Sequence, residues 1–227
     1  MNAVRAAVRI LGELMITAGL VLLLFCVYQL VWTNVEAHRA QSKVSDSIRD
    51  EWQRQQPDAP GDKPVAVRAF RPGKGFAFLH VPALGRDYTV PVVQGVSLPD
   101  LARGVGHYPS SALPGRVGNF AVAGHRATNG EPFAHLDKVG KGDVVVVETR
   151  DTWFTYVVDR TRIVAPSDTW VIDPVPGRTG VAPTRRLLTL TTCNPRWAST
   201  ERLIVFGHLR GQQPRTDGRP TVLASGG

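Results

Sequence analysis

Cysteine is nearly absent from this 227-residue chain, which contains only Cys26 and Cys193. Cys26 lies inside a long apolar run near the N-terminus, so the sequence offers Cys193 no partner for a disulfide bond. A disulfide framework is therefore excluded, although export from the cytoplasm is not. An unpaired thiol outside the cytoplasm is either a buried structural residue or a reactive one.

Internal repeats are also missing after residue 63, and few segments there have a helical pattern. Basic residues are plentiful instead. Lys and Arg outnumber Asp and Glu by 27 to 19, and the whole excess of +8 lies in residues 64–227. Such an excess favours contact with anionic polymers or phosphate head groups, or forms a solvated basic face. No basic motif interleaved with aromatic residues supports nucleic-acid binding.

The longest hydrophobic run is Ile10 to Trp32. At about 1.5 Å per residue, this run is long enough to cross a hydrocarbon core of about 30 Å. It is longer than the apolar region of a typical signal peptide, so an uncleaved anchor is favoured over a cleaved signal. The numbers of Lys and Arg do not separate its two sides. The simpler topology places the basic tail, residues 1–9, in the cytoplasm and the large C-terminal part outside the cell.

Residues 33–63 are predicted to form a stalk and a linker. Val44, Ile48 and Trp52 are four residues apart, which is typical of a weak amphipathic helix or stalk rather than of a core element. The stretch from Pro57 to Pro64 has the composition of a linker. The globular part of the chain is therefore expected to begin after this stretch.

Residues 64–210 are expected to form one domain, and residues 211–227, rich in Gly, Pro and small polar residues, a disordered tail. Short apolar runs with β-branched residues, separated by Gly and Pro, are typical of strands. About eight strands with short helices predict an all-β fold, a closed eight-stranded β-barrel or a sandwich. The predicted strands are Phe76–Val81, Tyr88–Val93, Asn119–Gly124, Asp143–Glu148, Trp153–Val158, Arg162–Ala165, Leu187–Thr192 and Leu203–Leu209, and the predicted helices are Leu98–Arg103, Pro132–Leu136 and Asp168–Ile172.

Cys193 ends an apolar run that is predicted to be a buried strand followed by a loop. A nucleophile at the exit of a strand is both rigidly held and reachable. His125 occupies a similar strand-exit position, so its imidazole would face the same cleft if the two strands are neighbours. Arg202 opens the last strand, where its guanidinium would stabilise an oxyanion or hold a peptide carbonyl. Arg196, in the intervening loop, is expected to face solvent.

The run TLTTC over residues 189–193 matches the T-L-x-T-C signature of sortases, the membrane-anchored cysteine transpeptidases of Gram-positive cell surfaces. His125 precedes the cysteine by 68 residues and Arg202 follows it, in the order expected of that family. Residues 64–210 resemble sortases as a whole, and class E sortases of actinobacteria in particular. The stretches that carry this closer similarity are Gly106–Pro109, Ala112–Gly115, Gly118–Arg126 and Thr191–Pro195.

The resemblance implies a sortase-type barrel with Cys193, His125 and Arg202 at one end of a substrate groove. Cys193 would attack the Thr–Gly bond of a C-terminal sorting signal on a secreted protein and form a thioacyl intermediate. An amine of a peptidoglycan precursor would then resolve the intermediate, which leaves the protein linked to the cell wall. Class E enzymes are associated with L-A-x-T-G signals rather than L-P-x-T-G.

Four residues near the thiol are candidates for substrate binding. Tyr108 resembles a tyrosine that class E sortases place near the pocket, while Thr191, Thr192 and Asn194 flank the cysteine in sequence. An aromatic residue beside a proline can instead pack on the barrel.

Metal and cofactor binding are not predicted. The calcium dependence known in some sortases requires a cluster of acidic residues in a loop. Acidic residues such as Glu131, Asp137 and Asp143 are scattered in this chain.

Three alternative functions differ from this prediction. An L,D-transpeptidase, another cell-wall cysteine enzyme, would have Ser-x-Gly-Cys at the thiol, where this chain has Thr191-Thr192-Cys193. A pilin-polymerising sortase would have an Asp-Pro-aromatic lid ahead of the barrel, but Asp-Pro occurs only at Asp173-Pro174. A non-catalytic, membrane-anchored β-domain would keep Cys193 as a buried, unreactive residue.

Overall fold

A computed structural model describes residues 2–54 and 70–224 of the chain. The linker predicted over residues 57–64 lies outside the described residues. The helices are α1 (Asn2–Arg54), α2 (Leu98–Leu101) and α3 (Thr221–Ala224), and the strands are β1 (Gly75–His80), β2 (Thr89–Gln94), β3 (Val105–His107), β4 (Gly118–Ala123), β5 (Val144–Glu148), β6 (Thr152–Val164), β7 (Arg186–Asn194) and β8 (Glu201–Pro214).

The eight strands close into a barrel in the order β1-β2-β3-β4-β7-β8-β6-β5, with β5 pairing back onto β1. The pairs β2–β3 and β4–β7 are parallel, and the other pairs are antiparallel. This architecture confirms the predicted closed barrel. It also places β7, which bears Cys193, between β4 and β8.

Alternate residues of each strand face the inside of the barrel, because successive side chains of a strand point to opposite faces. On β7, Leu188 and Leu190 join the interior cluster. Thr189, Thr191 and Cys193 therefore lie on the outer face. The central side chains of the interior include Leu79, Val92, Phe120, Val122, Tyr156 and Val205.

Two strands differ from the prediction. The predicted strands Trp153–Val158 and Arg162–Ala165 are halves of one strand, β6, which stays paired to β8 through a register shift between Val158 and Arg160. Strand β3 was missed because its three residues include Gly106. A Cβ at Gly106 would lie 2.3 Å from the carbonyl oxygen of Gly95, so this strand approaches its neighbour too closely for a side chain.

The predicted short helices are shorter than expected or of another type. Residues Leu98–Leu101 form α2, which Ser97 caps by accepting a hydrogen bond from the Asp100 backbone. The region predicted as Pro132–Leu136 is a turn followed by a 3-10 helix at Leu136–Lys138. The helix predicted at Asp168–Ile172 is a 3-10 helix at Thr169–Ile172.

His107, on β3, is fully buried and stacks on Phe120 inside the barrel. Burial outweighs a hydrogen bond with the Ala112 carbonyl and lowers the pKa of His107 to about 4. The folded protein therefore disfavours the protonated ring, whereas the unfolded chain binds a proton below its usual pKa of about 6.5.

The free energy of unfolding is accordingly expected to fall by about 3 kcal/mol as the pH drops from 6.5 to 4 through this residue. Denaturant unfolding of the full chain at several pH values measures this loss. In the variant His107→Asn, the pH dependence over the same window should shrink. An unchanged slope would show that His107 is not its source.

Helix α1 is a single continuous helix of 53 residues. Its N-terminal part is long and apolar enough, by length and composition, to cross a membrane. Further along, Val44 and Ile48 are buried against Phe78 and Val93 on the outside of β1 and β2, and Trp52 packs beside them. The predicted amphipathic helix is therefore present, but it is not a free stalk, because its apolar face covers the barrel.

Residues 211–227 were predicted to be a disordered tail, and this prediction is wrong for residues 211–224, which are ordered. Strand β8 continues to Pro214, beside the start of β6. Leu223 of α3 is buried against Val146 and Trp153. Composition alone missed this, because two apolar residues in a short helix are enough to fix the segment on a preformed surface.

Candidate active site

Strand register brings the three predicted catalytic residues to one end of the barrel. Cys193 and Arg202 are direct partners across the antiparallel β7–β8 pair. On the other side of β7, the parallel pairing with β4 runs as far as Ala123 and Thr191. Beyond this ladder, Thr192 Oγ1 donates to the Gly124 carbonyl and Arg126 Nη1 donates to the Cys193 carbonyl, so the segment that carries His125 runs beside the end of β7.

The outer face of β7 and β8 at this end of the barrel is the candidate substrate surface, here called the groove. Cys193 and Arg202 are half-buried at its end, where the thiol is held by the strand and still reachable. Farther along, Ile204 and Phe206 of β8 pack with Val171, which belongs to the loop between β6 and β7. The loop therefore forms an apolar wall beside the strand that bears Arg202.

The backbone on both sides of His125 is fixed. Gly124 donates a hydrogen bond to the Thr191 carbonyl (3.1 Å), and the His125 carbonyl accepts one from Phe133 (2.9 Å). The ring is half-buried, and burial lowers the pKa of His125 below its ordinary value. At neutral pH the imidazole is accordingly neutral and able to accept a proton.

The side chain of Arg202 is held by its own loop. Nη1 donates to the carbonyl oxygens of Ser199 and Glu201, both at 2.8 Å. These bonds fix the guanidinium at the exit of the β7–β8 loop, opposite Cys193. A planar guanidinium in this place can donate further hydrogen bonds toward an oxygen in the groove.

Tyr108 and Thr191 are brought together in the groove. The Tyr108 hydroxyl lies 3.2 Å from Thr191 Oγ1, on the face of β7 that carries Cys193. Thr191 lies two residues before Cys193 on the same face of β7, so its contact with Tyr108 is made close to the thiol. Thr191 is buried and its hydroxyl also donates to the Val122 carbonyl (3.4 Å), so the half-buried Tyr108 is the better placed of the two to contact a peptide.

Thr192 and Asn194 are not brought into the groove in the same way. Thr192 is buried, and its hydroxyl donates to the Gly124 carbonyl (2.8 Å) on the inner face of the barrel. Both polar atoms of the Asn194 amide are engaged: Oδ1 accepts from Arg126 (2.5 Å) and Nδ2 donates to Glu201 (2.7 Å). These two side chains stabilise the ends of β4 and β7.

Arg126 is buried, and the sequence did not predict this position for it. Its Nη1 donates to the Cys193 carbonyl (3.3 Å) and to Asn194, while Nη2 pairs with Asp137 (2.9 Å). The guanidinium thus ties the loop after His125 to the backbone of the candidate nucleophile. Nothing in the sequence separates this arginine from the many that face solvent.

Arg196 also differs from expectation. It was expected to face solvent, but its guanidinium is partly buried and forms an ion pair with Glu131. Since Glu131 lies in the loop after His125, this pair joins that loop to the segment between Cys193 and Arg202. Charge patterns along the chain give no sign of a contact across 65 residues.

Two open depressions lie along β6, one of mixed charge with Asp168 and Glu201 in its lining, the other lined by three arginines. Arg162 and Trp170 border both of them, with Thr200 and Glu201 in one and Arg160 and Arg178 in the other. Only the second depression is basic, and neither has Cys193, His125 or Arg202 in its lining. Among residues 2–54 and 70–224, no group of three or more His, Cys, Asp or Glu side chains is arranged to hold a metal ion.

A thiol on a strand, with an arginine directly across the β7–β8 pair and a histidine on the segment that leaves β4, is typical of an enzyme that transfers acyl groups through cysteine. The family model of the sortase domain matches residues 79–210 of this chain. The chain therefore belongs to the sortase family, the cysteine transpeptidases.

Known sortases of class E are similar to this chain. Sortase SrtE1 of Streptomyces coelicolor is 42% identical over 232 residues, which cover 99% of this chain and 63% of that protein. The solved sortase E from Streptomyces avermitilis is 45% identical, with a TM-score of 0.62 over 68% of this chain and 99% of its own. Sortase E1 from S. coelicolor, solved with a tripeptide in the active site, is 41% identical, with a TM-score of 0.61 over 68% of this chain and 99% of its own.

Proposed function

We propose that this protein is a membrane-anchored sortase that cleaves C-terminal sorting signals of the type L-A-x-T-G or L-P-x-T-G between Thr and Gly. It then joins the released protein to an amine of the cell wall. The observation that carries this proposal is the shared register of Cys193 and Arg202, with His125 entering from the opposite neighbour strand. The tripeptide in the active site of sortase E1 from S. coelicolor supports a peptide substrate for this groove.

The first half of the reaction follows from the three side chains. His125, kept neutral by burial, accepts the proton of the Cys193 thiol as Sγ attacks the threonine carbonyl carbon. Arg202 donates hydrogen bonds to the oxyanion that forms. When the C–N bond to glycine breaks, His125 returns its proton to the leaving amine, and a thioester between threonine and Cys193 remains.

The second half reverses these roles. An incoming amine attacks the thioester carbon and gives up a proton to His125. The C–S bond breaks, and the proton returns to the sulfur of Cys193. The product is a new amide bond, with no net change in the enzyme.

Tyr108 and Thr191 are proposed to bind the signal peptide, the half-buried Tyr108 directly and the buried Thr191 by holding the Tyr108 hydroxyl at 3.2 Å. For Thr192 and Asn194 we propose an indirect part in substrate binding, through the shape of the strand ends that they hold.

The proposed location follows from α1, and its orientation from the simpler topology, since the numbers of Lys and Arg do not separate the two sides of the apolar run. The apolar part of α1 anchors the chain as a single-pass protein, with residues 1–9 in the cytoplasm and the barrel outside. The proposed partners are secreted proteins with C-terminal sorting signals and a peptidoglycan-precursor amine. The basic surface of the barrel suits the anionic polymers of a cell wall.

The full chain in detergent micelles, mixed with an L-A-x-T-G or L-P-x-T-G peptide and triglycine or hydroxylamine, tests this function. Mass spectrometry is expected to show cleavage between Thr and Gly and a product joined to the added amine, with L-A-x-T-G preferred. The variant His125→Ala should lower kcat by about 10²–10⁴-fold, because proton transfer is lost. The matched control is His135→Ala, which removes an exposed imidazole and should leave kcat unchanged. If neither peptide is cut at this bond, the proposal is wrong.

A further inference from the structure

Helix α1 contacts the loop that follows His125. Asn34 makes two hydrogen bonds to this loop: Oδ1 accepts from the Gly130 backbone (3.1 Å), and Nδ2 donates to the Glu131 carboxylate (3.1 Å). One and two turns later, Ala37 and Gln41 are buried. The Gln41 amide lies 3.5 Å from the Asn129 carbonyl, so one face of the helix rests on residues 129–131.

The conformation of this loop depends on such support. Asn129, Gly130 and Glu131 have φ angles of 53°, 78° and 44°, three consecutive residues in the left-handed region. This conformation is unfavourable for residues with a side chain and persists only where surrounding contacts impose it. A Cβ on Gly130 would lie 2.4 Å from Gln41 Nε2, which shows how closely the helix approaches the backbone.

The same loop contacts both sides of the catalytic arrangement. Asn129 Nδ2 lies 3.5 Å from His125 Nε2. The Glu131 carboxylate, which Asn34 holds through one oxygen, forms an ion pair with Arg196 through the other. Arg196 lies in the segment between Cys193 and Arg202. A chain of contacts thus runs from α1 to the imidazole and to the β7–β8 loop.

We propose that Asn34 is a positioning residue for transpeptidation, so that α1 is part of the active site as well as the candidate anchor. This inference rests on the proposed function. Asn34 acts through Gly130 and Glu131, and it holds the His125 loop and the Arg196 segment in register with the thiol. It lies two residues after the predicted membrane span, so the segment leaving the membrane directly supports the catalytic geometry.

Two measurements on the full chain in detergent micelles test this role, both in a Cys26→Ser background so that Cys193 is the remaining thiol. The rate of Cys193 alkylation by iodoacetamide, measured against pH, needs no peptide substrate. The values of kcat and KM use the peptide cleavage described above. Asn34→Ala is expected to lower kcat by about tenfold with little change in KM, since misplaced catalytic groups slow the chemical step. In Asn34→Ala, the pH at which the rate of Cys193 alkylation is half-maximal should differ from that of the chain with Asn34.

The matched control is His38→Ala, an exposed residue on the next turn of α1, which should leave both measurements unchanged. A second control, Ile48→Ala, weakens the packing of α1 on the barrel away from the loop. It should lower the Tm without shifting the alkylation profile. Asn34→Ala removes none of the titratable or charged groups on the elements around His125, which are Cys193, Arg202, Glu201, Glu131, Arg196, Arg126, His135, Asp137 and Lys138.

The outcomes are distinguishable. An Asn34→Ala profile and kcat that coincide with those of His38→Ala would overturn the inference. An equal shift in Asn34→Ala and Ile48→Ala would also overturn it, because general packing of α1 would then suffice. If the unsubstituted chain cuts neither peptide, the proposed function fails, while the alkylation profiles still decide whether Asn34 sets the environment of the thiol.

Discussion

Replacing Cys193 with alanine is expected to abolish both cleavage and transfer, with a fall in kcat of about 10⁴-fold or more. Alanine has no sulfur to attack the peptide carbonyl, so the thioester cannot form. Arg202 and the groove remain, and they account for any residual rate. Single-turnover mass spectrometry measures the effect directly, as the loss of an acyl-enzyme whose mass is increased by the N-terminal part of the peptide.

The control for this substitution is Cys26→Ala, which removes the other thiol from the apolar part of α1. It should leave kcat and the acyl-enzyme unchanged. Thermal unfolding of both variants should resemble that of the parent, because Cys193 is only half-buried and alanine fits its place on β7. Acyl-enzyme formation that survives in Cys193→Ala would contradict the mechanism.

Arg202→Ala is expected to lower kcat by about 10²–10³-fold, the usual loss when an oxyanion donor is removed. The contacts of Nη1 with Ser199 and Glu201 show that the guanidinium also fixes the β7–β8 loop. Lysine keeps the positive charge but lacks the planar guanidinium with its several N–H donors. The kcat of Arg202→Lys should therefore lie between that of Arg202→Ala and that of the parent. Steady-state kinetics with the cleaved peptide separates kcat from KM.

Arg210→Ala provides the comparison, since Arg210 is exposed on the same strand, eight residues farther on. Its kinetic constants should match those of the parent. A rise in KM with unchanged kcat in Arg202→Ala would mean that the guanidinium binds the peptide equally in the ground and transition states. Arg202 would then be a substrate-binding residue and not an oxyanion donor.

Much of the barrel could be predicted because its strands are short apolar runs with clear boundaries. Strand β7 was predicted within two residues of its limits, and its alternation placed Thr191 and Cys193 on one face. Strand β3 could not be predicted in the same way. Its three residues pair with β2 and β4 because glycine lets the backbones approach, a property of the assembled sheet rather than of the local sequence.

The polar contacts that support the candidate site could not be predicted from residue patterns in the sequence. Arg126 and Arg196 look like surface residues in the sequence, yet each pairs with an acidic residue of the segment that follows His125. Asn34 and Glu131 meet across 97 residues. Such polar contacts have no periodicity, because each depends on where two separate segments cross.

The sequence by itself determined the candidate catalytic residues, a histidine, a cysteine and an arginine, and the order in which they occur. Hydrophobic periodicity and chain length also determined the all-β fold and the apolar helix, while the choice of a closed barrel over a sandwich came from the resemblance to sortases. Only the tertiary structure decided that α1 lies against the barrel and that its polar face reaches the loop of His125. The physical reason is that a four-residue apolar spacing fixes which face of a helix is buried, while the surface that buries it exists only once the strands have closed.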